Sequence, residues 1–475
     1  MANYPDWVTR QRIKGTEIRQ IGSNYYLYRV TSRWDKQKKR PVKTTLGYVG
    51  RITETGLIKS KPTRVIESIT HISVKEYGAF QWIWKHNTDI VQTLQQLFPA
   101  WWKELFVMSY LRLMHCSPLK HMDMQYHASF ASETVSQARL GSRTITSCLR
   151  EIGHQRGQIV AFLQRFVNGS EFVLIDATHV ISFSEGVSNS RLGYNSQKVF
   201  DPQVNLLFIY STDKKMPVYY RLVGGNIREI KALKLCVEES GLDNKAILVG
   251  DKGFYSKGNV ESLEKEKLRY ILPLRRNSIL IDYTPTQSAG KKDFEGYFRY
   301  EDRLIWYFQK DTVWLFLDDA LKISEQNDYL RRIDKQCEGY TLDNFHDKQH
   351  RFGTIAVLSN IKDVKARKVF EYLKSRVAVE VVFDAFKNIL DADRTYMRGD
   401  WEMETWFFVN YLALLYYYRI YQILQEKELL KKYSPKDFLL YLSQVKKIRV
   451  KNEWKIAEIP KKVQTVLDKF DKPIP

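Results

Sequence analysis

Two short apolar runs each end in an aspartate. Phe172-Val173-Leu174-Ile175 closes on Asp176, and Ala246-Ile247-Leu248-Val249-Gly250 closes on Asp251. Both read as buried strands. A third carboxylate, Glu380, lies on a helical stretch running from Tyr372 through Arg376 to Lys387. At about 100° per residue, Arg376, Glu380 and Lys387 fall within roughly 40° of one another, so two cations and a carboxylate share one helix face. Carboxylates delivered from two strand ends and one helix suit a pair of Mg²⁺ ions, because a hard cation takes oxygen ligands and keeps positions open for phosphate and water. The trio reads as a phosphoryl-transfer site.

The elements around these acids predict an α/β fold. After the Asp176 strand come strands at Val204–Tyr210 and Pro217–Leu222, a helix around Ile230 to Glu239, and the Asp251 strand. Three strands, a helix and a fourth strand, with acids on the first and fourth, is the chain order of an RNase H-like core. A strand at Tyr270–Leu274 comes next. Between about 275 and 350 the pattern breaks into aromatic-rich hairpins at Gly296–Tyr300, Leu304–Phe308 and Thr312–Leu317, a β-rich insertion. Phe352 to Leu358 resumes a buried strand, and helical pattern runs from Ile361 to about Leu390. Upstream, residues 21–58 read as a small antiparallel sheet whose loop carries Lys36, Lys38, Lys39 and Arg40, a shape that can enter a DNA groove or track phosphates. Residues 71–168 read as a helical module, either a second DNA-contacting element or a packing collar. The expected domains are 1–70, basic and β-rich; 71–168, helical; 169–274, the first part of the core; 275–350, the insertion; 351–425, the second part with the Glu380 helix; and 426–475, a basic helical tail.

Charge says what the phosphate belongs to. The chain carries 75 Lys and Arg against 54 Asp and Glu, a net of +21, which calls for a polyanion partner, nucleic acid first. The surplus is uneven: residues 1–70 hold 15 cations against 5 acids, and residues 416–475 hold 14 against 7. Four cysteines, widely spaced with no Cys-x-x-Cys pair, exclude a zinc ribbon or disulfide framework and fit a reducing cytoplasm. The first residues lack an apolar signal segment. The 14 uncharged residues between Glu404 and Arg419 fall short of the ~18–20 that span a membrane, so that stretch reads as a buried helix with no membrane partner.

With those residues in hand, the chain resembles the DDE transposases of bacterial insertion sequences, in the branch with a β-strand insertion and a Tyr-Arg-Glu-Lys signature. The likeness covers roughly 170 to 420. Leu174-Ile175-Asp176-Ala177-Thr178 is similar to the first-aspartate segment, and Val249-Gly250-Asp251-Lys252-Gly253-Phe254-Tyr255-Ser256 to the second. Arg376, Glu380 and Lys387 keep the family's spacing of three and six intervening residues, and the intervals of 75 and 129 residues between the acids fit as well. One departure stands out: the signature tyrosine is expected where this chain has Leu373, and Tyr372 is one residue further back. The resemblance implies catalysis and metal binding by Asp176, Asp251 and Glu380, and phosphate contacts by Arg376, Lys387, Lys252 and Tyr372. It implies Mg²⁺, with Mn²⁺ as a substitute, and double-stranded DNA as partner, both the element's terminal inverted repeats and a target. Joining two ends requires two active sites, hence a homodimer on DNA in a prokaryotic cytoplasm, associated with the nucleoid. The activity implied is cut-and-paste transposition. A DNA-binding repressor or scaffold of RNase H-like fold without catalysis, and a nuclease that only hydrolyses, are the alternatives.

Weaker signals are set beside this one. Asp384, one turn after Glu380, is the alternative third ligand, though the arginine and lysine spacings converge on Glu380. His346 and His350 are four apart but lack a third ligand nearby. Trp306, Tyr307 and Trp314 alternate as core aromatics do, and could otherwise stack on unpaired bases.

Overall fold

A computed structural model describes residues 4–35, 39–59, 72–170, 172–188, 190–194, 200–224, 229–242, 246–250, 254–450 and 452–470. Asp251, Lys252, Lys36 and Lys38 lie outside the described residues. The chain divides into two compact units: Met1–Ser73 with Val450–Asn452, and the remainder.

The first unit is an antiparallel sheet, β1 (Thr16–Ile21), β2 (Asn24–Asp35), β3 (Arg40–Thr53) and β4 (Gly56–Lys59), paired in chain order. Alternation sends Ile18, Leu27 and Ile52 to one face, where they bury Val8 of the preceding helical turn in a core of their own. The strands expected at 25–30 and 42–49 sit inside longer ones. The β1 ladder covers β2 only up to Arg29 and the β4 ladder covers β3 only from Gly50, so residues 30–35 and 40–45 form a two-stranded ribbon. It is tied at its base to β1 by the Lys43–Glu17 pair (3.0 Å) and by the Val30 N–H donating to Gly15 O (2.9 Å).

A short strand, β5 (Ser73–Glu76), leads into the helices of the second unit. The catalytic sheet then begins: β6 (Val173–Ser182), β7 (Arg191–Tyr194), β8 (Phe200–Ser211), β9 (Met216–Gly224), helix Glu229–Ser240, β10 (Ala246–Val249) and β11 (Arg269–Pro273). β6, β8 and β9 are antiparallel neighbours, while β10 lies parallel to β6 and β11 parallel to β10. That gives the order β9-β8-β6-β10-β11, an RNase H-like core. The insertion does not stand apart from it. β12 (Gly296–Tyr300), β13 (Arg303–Lys310) and β14 (Val313–Asp318) form a meander, and β15 (Thr354–Ser359) joins β14 to β11, so one mixed sheet runs from β12 through to β7. An edge that β11 would otherwise leave open is thereby paired. Three α-helices, the single turn Thr284–Gln287 and the longer Asp319–Asp334 and Leu342–Lys348, also lie in this stretch, where the sequence predicts only hairpins. Asp319–Asp334 buries Tyr329 alone, so it carries no apolar stripe to read.

Downstream come helix Ala366–Asp384, β16 (Arg394–Thr395) beside the end of β6, and the long helix Asp400–Glu426. The last of these is buried along most of its length, as its uncharged stretch predicts. The C-terminal stretch is not wholly helical: β17 (Lys446–Val450) and β18 (Glu453–Ile456) pair as a hairpin with β5, placing Lys446, Lys447 and Arg449 on a strand.

The helices of 71–168 share one hydrophobic core with the catalytic sheet and the Asp400–Glu426 helix, the packing of a collar. Arg112, on helix Trp102–His115, is buried; it donates to Asn410 Oδ1 (3.0 Å), to Ser117 O (3.0 Å) and to the carbonyl of Leu390, just past the Glu380 helix. Arg112→Ala leaves three acceptors unpaired and is expected to destabilise the protein by about 2–3 kcal/mol, seen as a lower urea midpoint. An unchanged midpoint would show that water replaces the guanidinium at no cost.

Candidate active site

Asp176 sits mid-way along β6, on the face that meets helix Ala366–Asp384. Its cross-strand partner Phe208 packs on Phe383 and Phe386, at ring distances of 5.9 and 5.5 Å. One carboxylate oxygen accepts from the N–H of Ala177 (2.8 Å), and the other lies 3.7 Å from Arg376 Nε. Arg376 Nη1 lies 3.0 Å from Glu380 Oε1. One guanidinium thus faces both carboxylates, from elements 204 residues apart in the chain. Its Nε is buried and makes no hydrogen bond among the described residues. Glu380 itself is half exposed, in front of a cavity of about 340 Å³ whose walls include Arg276, Lys374 and Leu373.

Asp384 points elsewhere. It accepts from Asn388 Nδ2 (2.7 Å), and its charge helps raise the phenols of Tyr417 and Tyr418 on the Asp400–Glu426 helix, secondary there to burial. The α-helix also ends at Asp384, and Ala385–Ile389 form a π-helical turn that carries Lys387. A wider turn changes the angular count made for a straight α-helix, and such turns recur at functional sites. Burial holds Lys387 below the usual lysine range, against the pull of Asp393, and Lys387 has no acidic partner within 4 Å among the described residues. Burial, then the Lys387 charge, pushes His179 on β6 down to about 4, so this histidine stays neutral beside the lysine.

Tyr372 is placed in the core, 2% exposed, with its ring 5.2 Å from Phe172. Leu373, where the signature tyrosine is expected, lines the cavity instead. The offset of one residue turns the tyrosine to the packed side, which leaves a phosphate no access to it. Lys39 and Arg40 lie in the first unit, at the turn and the first residue of β3. His350 accepts from Arg351 Nε (3.1 Å), and among the described residues no group of three metal-capable side chains occurs. Trp314 is buried, and Trp306 donates to Asp319 Oδ2 (3.1 Å) under Lys291, so these aromatics hold the insertion together. Among the described residues no helix is long and apolar enough to cross a membrane. Arg112 was invisible to sequence reading, because a lone arginine on an apolar helix carries no motif.

A protein-family comparison matches residues 168–416 to the transposase DDE domain. The chain belongs to this family. No curated protein matches it. Among solved structures it is similar to the piggyBac transposase synaptic complex with hairpin DNA, solved by cryo-EM, at 12% identity over 72% of this chain and 69% of that one, with a TM-score of 0.36. In this DDE transposase, the matched span holds Asp176, Arg376, Glu380 and Lys387, and it extends across the β insertion. Lys387→Ala is expected to leave the melting temperature within a few degrees of the parent while strongly reducing DNA cleavage, since a half-buried cation without an acid partner among the described residues contributes little to the fold. Normal cleavage by this variant, or simple unfolding, would return the lysine to a structural role.

Proposed function

We propose that this chain binds the ends of its own mobile element and carries out metal-dependent strand cleavage and strand transfer, with Asp176, Asp251 and Glu380 as the acids. The observation that carries the reading is the convergence of Asp176 and Glu380 on one guanidinium. Two oxygen-donor groups already share a cation there, and that donor chemistry fits Mg²⁺ or Mn²⁺. DDE transposases generally use such ions, and the residues that would hold them here are Asp176, Glu380 and, beyond the described residues, Asp251. A bound ion would supply positive charge for polarising the scissile phosphate and lowering the pKa of water or a DNA 3′-hydroxyl. The protein's own cations do the positioning. Arg376 presents a planar fork suited to phosphate oxygens, and Lys387, desolvated and without an acid partner among the described residues, supplies a point charge that a phosphate would satisfy. Lys252, next to Asp251, is a further candidate for the same task.

The test is direct. Purified protein is mixed with duplexes copied from the DNA on either side of the gene, with Mg²⁺ or Mn²⁺, and the products are separated on denaturing gels. Nicks at a fixed position, followed by joining to a second duplex, are expected. Cleavage without joining would make this a nuclease, and binding without cleavage a repressor or scaffold.

A further inference from the structure

The segment leaving the catalytic helix builds a second surface. β16 pairs Arg394 with Ile181 and Thr395 with Ser182, at the far end of β6. Hydrogen bonds pin the residues on either side of this pairing: Ile181 N–H donates to Asp393 O (3.0 Å), Met397 N–H to Thr395 Oγ1 (3.3 Å) and Ser188 N–H to Asp400 Oδ2 (3.2 Å). Gly186 and Gly153 let neighbouring chain approach closely. A Cβ at Gly186 would sit 2.1 Å from the Arg398 carbonyl oxygen, and one at Gly153 2.1 Å from that of Trp401.

This anchored segment holds Tyr396 out into solvent, 78% exposed. Beside it lies a cavity of about 350 Å³ with apolar walls from Leu119, Ile145 and Met397, and cations Lys120 and Arg398 at its lining. A third cation there, Arg150, is neutralised by Glu402 at 2.9 Å. Among the described residues neither Lys120 nor Arg398 has an acid partner within 4 Å. A single exposed tyrosine needs no explanation. An anchored one, beside a cavity with two unpaired cations, on the segment that continues the catalytic helix, does.

We propose that this surface is a DNA-binding site, with Lys120 and Arg398 taking backbone phosphates and Tyr396 packing on a sugar or base. The inference rests on the reading that the chain acts on duplex DNA, and adds where that duplex runs beyond the scissile phosphate. Local charge selects DNA as the occupant: Lys120 and Arg398 have no acid partner within 4 Å among the described residues, while the acids beside the segment are engaged, Glu402 by Arg150 and Asp400 by Ser188. Along β6, Asp176 and Ile181 are five residues apart. That is about 17 Å at strand rise, or roughly five base pairs.

Fluorescence anisotropy with duplexes copied from the gene's flanking DNA, at several salt concentrations, tests the site on variants whose melting temperatures match the parent. Lys120→Ala and Arg398→Ala are each expected to lower the slope of log affinity against log salt by about one, and Arg398→Lys to keep it. Tyr396→Ala is expected to weaken binding about tenfold at every salt concentration without changing the slope, while Tyr396→Phe binds like the parent. Protection of the DNA roughly five base pairs past the cleavage position should be lost in the triple alanine variant. Parent-like binding and protection in all the alanine variants would overturn this site and leave the transposase reading standing. A parent protein that binds none of these duplexes would overturn both.

Discussion

Asp176→Asn, Asp251→Asn and Glu380→Gln will each lower strand cleavage by about 10³-fold or more, while binding of flanking DNA stays close to that of the parent. The size follows from the chemistry. Taking one negative oxygen donor from a divalent-cation site forfeits several kcal/mol of transition-state stabilisation, and each 1.36 kcal/mol is tenfold in rate, so about 4 kcal/mol gives the stated loss. The fold should survive. The Arg376–Glu380 pair is half exposed on the glutamate side, and such pairs contribute about 0–1 kcal/mol. Asp384→Asn is the matched control: its carboxylate accepts from Asn388 and faces the Asp400–Glu426 helix, so cleavage by this variant should be unchanged. Gel assays of cleavage with anisotropy of binding on the same preparations decide the matter. An active Glu380→Gln together with a dead Asp384→Asn would move the third acid by one helical turn.

What could be read in the sequence depended on how each element is buried. The buried stretches 173–175, which open β6, and Ala246–Val249, which form β10, are continuously apolar, and the aspartate that closes each run is conspicuous by contrast, although β6 itself runs on past Asp176 to Ser182. Helix Asp400–Glu426 announced itself the same way. Helix Asp319–Asp334 buries one side chain and gave no period. The pairing of β15 with both β11 and β14 could not be read either, because strand order is set by contacts between distant residues. At the site, the order and spacing of Arg376, Glu380 and Lys387 were legible, but their angular relation was not. That count assumed a uniform α-helix, and the π-helical turn at Ala385–Ile389 breaks the assumption at Lys387 itself. Tyr372 shows the same limit from the other side: one residue of offset decides between the cavity and the core, and only packing against Phe172 reveals which was taken.

Removing the first unit should weaken DNA binding by about 10³-fold near physiological salt and flatten its salt dependence, with the remaining chain still folded. Folding is preserved because the unit's core of Val8, Ile18, Leu27 and Ile52 is separate from the core that the catalytic sheet shares with the helices. Affinity is lost because residues 1–70 carry 15 of the chain's 75 lysines and arginines against only 5 acids. Each phosphate neutralised contributes about 0.9 to the slope of log affinity on log salt, so if even half of these cations meet phosphates the slope falls by roughly seven. The geometry suits that task. The ribbon of residues 30–35 and 40–45 is about 20 Å long at strand rise, and a two-stranded ribbon of this kind fits the major groove. It carries Arg33 and Arg40, with Lys43 paired to Glu17 at its base (3.0 Å) and Trp34 62% exposed near its tip. Titrations of flanking-DNA duplexes at increasing salt, with full-length and shortened chains, measure both quantities. A shortened chain with the parent's slope would place the phosphate contacts in the second unit and leave the ribbon without a role in DNA binding.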